Sequence, residues 1–269
     1  MYAFSAPIKK VVKVKIFIFK RRTLKIALSL ALAVIITLSI LIGSKTINVF
    51  SKNERKLPIY SVQKNEKVIS ISFDAAWGSD KTKGILDLLK KYDVKATFFL
   101  VEFWTEKNKD LVKEIYESGH AIGTHSKTHS NMSKLSKEQI ESELKSSSKV
   151  IEDITGNKVT LFRAPYGDYD DLLIDCAKDL GLYTIQWDVD SLDWKGLTGK
   201  EISSRILNRV KNGSIILCHN NSEHILDALP LILPTLKENG YKFVRIDDLI
   251  YKENYKMAHD GTQVPLEEQ

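Results

Sequence analysis

The chain has 269 residues, of which 43% are hydrophobic and 28% charged, an ordinary globular balance that excludes a disordered or fibrous protein. Its formal charge is +6, from 40 basic and 34 acidic residues. Eight of the basic residues (Lys9, Lys10, Lys13, Lys15, Lys20, Arg21, Arg22 and Lys25) precede Ile26 with no acid among them, and the remainder of the chain is slightly acidic. The basic excess therefore belongs to a tail, and no nucleic-acid partner is expected, because such a domain keeps its positive excess on the folded part. Two cysteines, Cys176 and Cys218, are too few for a disulfide framework.

After the basic tail of residues 1–25 come nineteen residues without a charge, Ile26 to Ser44, IALSLALAVIITLSILIGS. At about 1.5 Å per residue a helix of that length nearly spans a hydrocarbon core of about 30 Å. No small-x-small cleavage site follows it, so the pattern predicts one N-terminal transmembrane helix over 26–44, an uncleaved signal anchor. The positive-inside rule then places 1–25 in the cytoplasm, with possible contact to anionic lipid, and everything after Ser44 outside. Residues 45–66 are mixed and polar and read as a stalk.

The soluble domain is expected over 67–251. VISISF (68–73) reads as a strand, followed by a turn at Trp77 and Gly78 and a helix carrying Ile85, Leu88 and Leu89. Further strands are predicted over 96–101, 121–124, 159–162, 183–187, 214–217 and 242–246, with helices between most of them. Ser136 with Gln139 forms a capping box for a helix that Gly156 can end. This alternation indicates an α/β protein of parallel βα units, in an open sheet or a barrel. No glycine-rich phosphate loop follows any strand, which argues against a nucleotide enzyme. The tail 252–269 is expected to be disordered.

Polar residues recur where the strands end, the face on which βα folds carry their chemistry. The predicted strand ends deliver Asp74, then His125 and His129, then Arg163, then Asp190 and Asp193 with Trp194, and finally His219. Cys218, beside His219, reads as a buried small hydrophobe facing the opposite side of its strand. His120 and His224 read as surface or helix-end residues.

Taken in order, S-F-D-A, H-S-K-T-H, R-A-P-Y-G, D-S-L-D-W and I-L-C-H resemble the five motifs of the polysaccharide deacetylases with the NodB homology domain, carbohydrate esterase family 4. The resemblance runs from about Lys67 to Tyr251, and F-D-x-x-W-G over 73–78 is most similar to the sporulation-associated, membrane-anchored members. It implies a distorted (β/α) barrel of about seven strands and removal of acetyl groups from N-acetylated amino sugars of cell-wall glycan. It also implies a divalent metal, zinc by the donor set, on His125 and His129, with Asp74 as base, Arg163 orienting it, and His219 as acid. Asp193 would stand behind His219, with Asp190 as the second candidate. Leu217 and Trp194 would wall the acetyl pocket, and the backbone N–H of Tyr166, after Pro165, would serve the oxyanion.

At one position the chain departs from the family pattern. The carboxylate ligand that usually follows the base is Ala75 here, which leaves two protein ligands where catalytic zinc sites usually have three. The outcomes are a weak metal site completed by water or by Asp80, a different catalytic arrangement, or a domain that binds glycan without cutting it. A purely structural envelope protein is a third function class.

Overall fold

In the computed structural model, which describes residues 21–50 and 55–266 and the side chains of all of these except 22, 24, 27 and 40–50, the chain divides into two units, Met1–Glu54 and Arg55–Gln269. The first holds α1, one helix from Arg21 to Phe50. Leu28, Leu30, Leu32, Val34, Ile35 and Ile36 are all exposed on it. The transmembrane span expected over 26–44 is not found: among the described residues no helix is long and apolar enough to cross a membrane. The side chains of 27 and 40–44, part of the expected span, lie outside the described residues. Residues 1–20 of the basic tail lie outside the described residues.

The second unit begins with β1 (Ser61–Val62), β2 (Val68–Ala75), α2 (Thr82–Lys91), β3 (Thr97–Leu100), α3 (Glu102–Lys107), α4 (Lys109–Glu117) and β4 (Ala121–Thr124). There follow α5 (Lys137–Thr155), β5 (Leu161–Phe162), α6 (Asp171–Asp179), β6 (Tyr183–Thr184), β7 (Val189–Asp190), α7 (Gly199–Leu207) and β8 (Ile215–His219). The chain then forms α8 (Ile225–Glu238), β9 (Lys242–Phe243), α9 (Ile246–Leu249), β10 (Tyr255–Met257) and β11 (Thr262–Pro265). The main sheet runs β6-β5-β4-β3-β2-β8-β7, with β9 on the start of β2. Its pairings are all parallel, and it curls into an open half-barrel. That agrees with the α/β barrel expected from the sequence, although it is less closed.

β2 lies at the centre and shows why. Ile69, Ile71, Phe73 and Ala75 pack in one cluster with Ile85 and Leu89 of α2 and Leu229 and Leu233 of α8. A strand turns alternate residues to opposite faces, so Ser70, Ser72 and Asp74 point to the concave side. The serine hydroxyls are buried there and donate to Val244 O at 2.6 Å and Ile216 O at 2.7 Å, which satisfies polar groups that would otherwise be costly to bury. A second cluster (Phe99, Leu161, Ile185, Ile215 and Ile246) fills the concave side below the rim. The predicted capping box of α5 is present, and Gly156 ends that helix at φ 68°.

Both predicted boundaries of the domain are too narrow. The expected stalk is folded from Arg55 onward: Lys56 pairs with Asp175, and Ile59 and Val62 are buried. Ile59 pairs with Ile185 and Ser61 with Ser214, so this segment joins the end of edge strand β6 to the start of β8. The expected disordered tail is also ordered through residue 266. β11 lies parallel to β1 and antiparallel to β10 in a three-stranded sheet. Its anchor is Gln263, fully buried, whose amide exchanges bonds of 2.7 and 2.6 Å with Tyr251 N and O. A polar residue anchors this tail, which is why hydropathy did not reveal it. Residues 267–269 lie outside the described residues.

His120 is a further correction, since it is buried rather than on the surface. Its Nδ1 accepts from the Ala96 N–H at 3.1 Å, and burial, then the charge of Lys95, lowers its pKa to about 4. His224 does sit at a helix end, immediately before α8, and Cys218 is fully buried.

Candidate active site

Asp74 ends the inward-facing row of β2, and the Arg163 guanidinium reaches it from the end of β5. Nη1 of Arg163 donates to Asp74 Oδ1 at 2.7 Å and to Ser72 Oγ at 2.9 Å, while Nη2 donates to Gln186 O at 3.2 Å. The guanidinium lies over the Phe99 ring, 4.1 Å from its centroid, and Arg163 is 0% exposed. Burial pushes the Asp74 carboxyl up, but the Arg163 guanidinium outweighs it and holds its pKa below the ordinary value. Asp74 is therefore an ionised carboxylate at neutral pH, oriented by a fixed cation.

His125 follows β4 and is buried. Its Nδ1 lies 2.8 Å from Arg163 O, and since a carbonyl only accepts, Nδ1 carries the proton. Nε2 then presents its lone pair toward Asp74, 3.6 Å from Oδ2. Burial lowers the His125 pKa against the pull of Asp74, which keeps the ring neutral. His129 stands beside it, ring centroids 5.0 Å apart, with Trp77 at 4.7 Å and Tyr166 at 4.6 Å. Its Nδ1 is buried without a partner. Burial lowers the His129 pKa to about 4.

Opposite these groups, β8 ends on His219. Its Nδ1 lies 2.7 Å from Asp193 Oδ1, and its backbone N–H donates to Asp193 Oδ2 at 2.8 Å, so one carboxylate fixes both ring and backbone. Burial lowers the His219 pKa, but the bond and charge of Asp193 outweigh it and the net shift is upward. Asp190 lines the cleft with its Oδ1 accepting from Leu192 N at 2.8 Å. Asp193, rather than Asp190, is thus the partner of His219.

These elements enclose a cavity of about 540 Å³ lined by Asp74, Ala76, Trp77, His125, His129, Tyr166, Trp187, Asp190, Trp194, Leu217, His219 and Asn221. Arg163 and Asp193 stand behind the wall, and Pro165 is buried at the start of the turn that carries Tyr166. Ala76, Trp77, Trp187 and Asn221 were not expected as lining. Of these, Trp77 belongs to the F-D-x-x-W-G signature and Asn221 follows His219 by two residues; nothing in the sequence marks Trp187. Among the described residues, six non-glycines have positive φ, and Ser126, His129, Tyr166 and Leu192 are four of them. Strained backbone of this kind, costing about 1–3 kcal/mol per residue, concentrates at functional sites.

As a metal site the cleft is incomplete. The Nε2 of His125 and the unpartnered nitrogen of His129 suit a divalent ion as two of its ligands. Ala75 is 0% exposed and packs in the outer cluster, away from the cavity. Asp80, considered as a substitute, is 72% exposed and pairs only with Lys81, at 3.4 Å. Among the described residues no group of three or more His, Cys, Asp or Glu can hold a metal ion.

Residues 61–185 match the profile of the Polysaccharide deacetylase family. The chain is 35% identical to a peptidoglycan-N-acetylglucosamine deacetylase of Bacillus cereus, over 71% of its own length and 92% of that protein. It is 36% identical to the peptidoglycan-N-acetylglucosamine deacetylase PgdA of Listeria monocytogenes, over 72% of this chain and 41% of that one. With the uncharacterized protein YlxY of Bacillus subtilis it shares 32% identity over 72% of its length and 60% of that protein. The chain thus spans only about half the length of the latter two. Among solved structures, it resembles a mutant of a CE4 family pseudoenzyme with restored enzymatic activity, at TM-score 0.69 and 36% identity, covering 77% of this chain and 72% of that one. The wild-type pseudoenzyme, from Bacillus anthracis, matches at TM-score 0.69 and 33% identity over 78% of this chain and 73% of that one.

Proposed function

Because the chain belongs to the polysaccharide deacetylase family, we propose that its cleft takes the N-acetyl group of an amino-sugar glycan of the cell wall, peptidoglycan or a related polymer, and hydrolyses the amide. The observation that carries this reading is the placement of two charge-held groups on one cavity, Asp74 on Arg163 and His219 on Asp193, each pair at 2.7 Å. Asp74 takes a proton from the water that attacks the acetyl carbonyl carbon. His219, its pKa raised, gives its proton to the nitrogen as the C–N bond breaks. Leu217 and Trp194 wall the acetyl methyl, and the Tyr166 N–H, in the turn opened by Pro165, serves the oxyanion. A divalent ion on His125 and His129 supplies Lewis-acid polarisation when bound.

With two protein ligands instead of three, that ion is held weakly, and turnover depends on its free concentration. A second reading, glycan binding without turnover, is favoured by the missing third ligand. Amine release from acetylated glycan, measured across added zinc and with chelator, separates the two. Release that rises with zinc supports the hydrolase; glycan binding without release at any zinc concentration supports the second reading; absence of both refutes each.

Anchoring in the cytoplasmic membrane, with the N-terminus inside and the domain outside, is proposed from the uncharged run 26–44 and the eight cations before it. A role in sporulation is proposed on the F-D-x-x-W-G motif alone.

A further inference from the structure

We propose that Trp77 and Phe103 form a sugar-stacking face beside the cleft, a subsite for a neighbouring residue of a β-linked amino-sugar chain; this rests on the reading of the cleft as a glycan site. Trp77 is 56% exposed and Phe103 39% exposed, with ring centroids 6.2 Å apart and planes tilted by 45°. Trp77 lines the cavity, whereas Phe103, on α3, lies outside it. The pair therefore continues the cavity wall outward over the β2 and β3 ends of the half-barrel, on the side away from Trp194.

The exposure of Trp77 is built in rather than incidental. The carbonyl of Gly78, the next residue, accepts from Trp104 Nε1 at 2.6 Å and from Asn220 Nδ2 at 2.9 Å. Both donors come from other elements, and Asn220 is fully buried. Gly78 itself takes φ 65°, with the Asn221 Cβ only 3.2 Å from where a side chain would begin. The loop is thus pinned from two sides, and its indole is held at the rim with its ring centroid 4.7 Å from that of His129. An aromatic face kept in water at such a cost in pinned backbone needs a partner that is apolar on one face and polar at its edge. A pyranose ring has axial C–H bonds on its face and hydroxyls around its edge, and a rigid indole meets it with little loss of conformational freedom. Continuity with the catalytic cavity selects a sugar of the same chain rather than a separate ligand.

The test is binding of β-1,4-linked N-acetylglucosamine oligomers to the full-length protein by calorimetry, comparing the dimer with the pentamer for wild type, Phe103→Ala and Phe103→Tyr. The wild type is expected to bind the pentamer about tenfold more tightly than the dimer. Phe103→Ala removes that gain while leaving dimer affinity unchanged, and Phe103→Tyr retains it. Undiminished length dependence in Phe103→Ala overturns the subsite, as does an equal loss for both oligomers. Wild-type binding without length dependence refutes the subsite alone; no binding of either oligomer refutes the glycan reading and the subsite together.

Discussion

Removing the Arg163 guanidinium tests whether the base is held as the geometry requires. Arg163 is fully buried and Asp74 is 6% exposed, with 2.7 Å between their charged atoms. Arg163→Met keeps the apolar stem over Phe99 but leaves a carboxylate in a dry site with no cation, a change that costs about 3–5 kcal/mol. Adding Asp74→Asn to Arg163→Met removes the stranded charge, so the double variant is expected to recover about 1–3 kcal/mol relative to Arg163→Met alone. Urea unfolding in the presence of chelator measures each corner of the cycle. The pH dependence carries a second signature. In the wild type the depressed Asp74 pKa contributes stability that is present above the ordinary carboxylate value of 3.8 and is lost as pH falls through the lower folded value. In Arg163→Met burial acts against ionisation, the sign reverses, and the variant recovers part of its deficit on acidification. Additive effects, or a deficit independent of pH, would refute the ion pair as the element that keeps Asp74 charged.

His219→Ala is expected to lower zinc-supported amine release by about 10²-fold or more without unfolding the domain, as read by circular dichroism. Asp193→Asn acts in the same direction and also moves the alkaline limb of the pH–rate profile to lower pH, because it removes the charge that raises His219. The same shift makes the His219–Asp193 pair contribute stability that is complete below the ordinary His value of 6.5 and lost as pH rises through the folded value. In intact protoplasts, added protease should degrade residues 55–266 and spare 1–25; protection of both refutes the proposed topology. Ala75→Asp puts a carboxylate into the apolar cluster on the far side of β2 from the cavity, so the variant should lose about 3 kcal/mol with or without zinc and bind zinc no more tightly than wild type. Tighter zinc binding in thermal titrations would show that the new carboxylate does reach an ion on His125 and His129.

The site was more legible in the sequence than the edges of the domain. Asp74, His125, Arg163, Asp193 and His219 end or follow strands, and strand ends are punctuated by turns that interrupt the apolar pattern, so each could be placed from local signals. The stalk and the tail could not. Ile59 and Val62 sit in a polar stretch, and their segment is held by the bridges of Ile59 to Ile185 and Ser61 to Ser214, more than a hundred residues away. Gln263 stabilises β11 by closing on Tyr251, a contact that no hydropathy window reports. Short strands were also overextended: 183–187 is regular only over Tyr183–Thr184, because a curling sheet keeps its outer pairings brief. Trp187 reaches the cavity from beyond that truncated strand.

The alternation along β2 bears on how much the surviving acid and base say about turnover. Asp74 faces the concave side and Ala75 the helices, where Phe73 and Ile71 share its cluster. A carboxylate at position 75 would therefore be a buried charge among apolar side chains, and alanine is the residue that packing favours there. The acid and base are a different case. Asp74 compensates the buried Arg163, and Asp193 accepts both the ring and the backbone N–H of His219, so removing either leaves an unpaired buried group that destabilises the half-barrel itself. Both would be retained by a domain that only binds glycan. The presence of the acid–base pairs thus follows from folding as well as from catalysis, and it is the zinc dependence of amine release that discriminates a metal-limited hydrolase from a binding module.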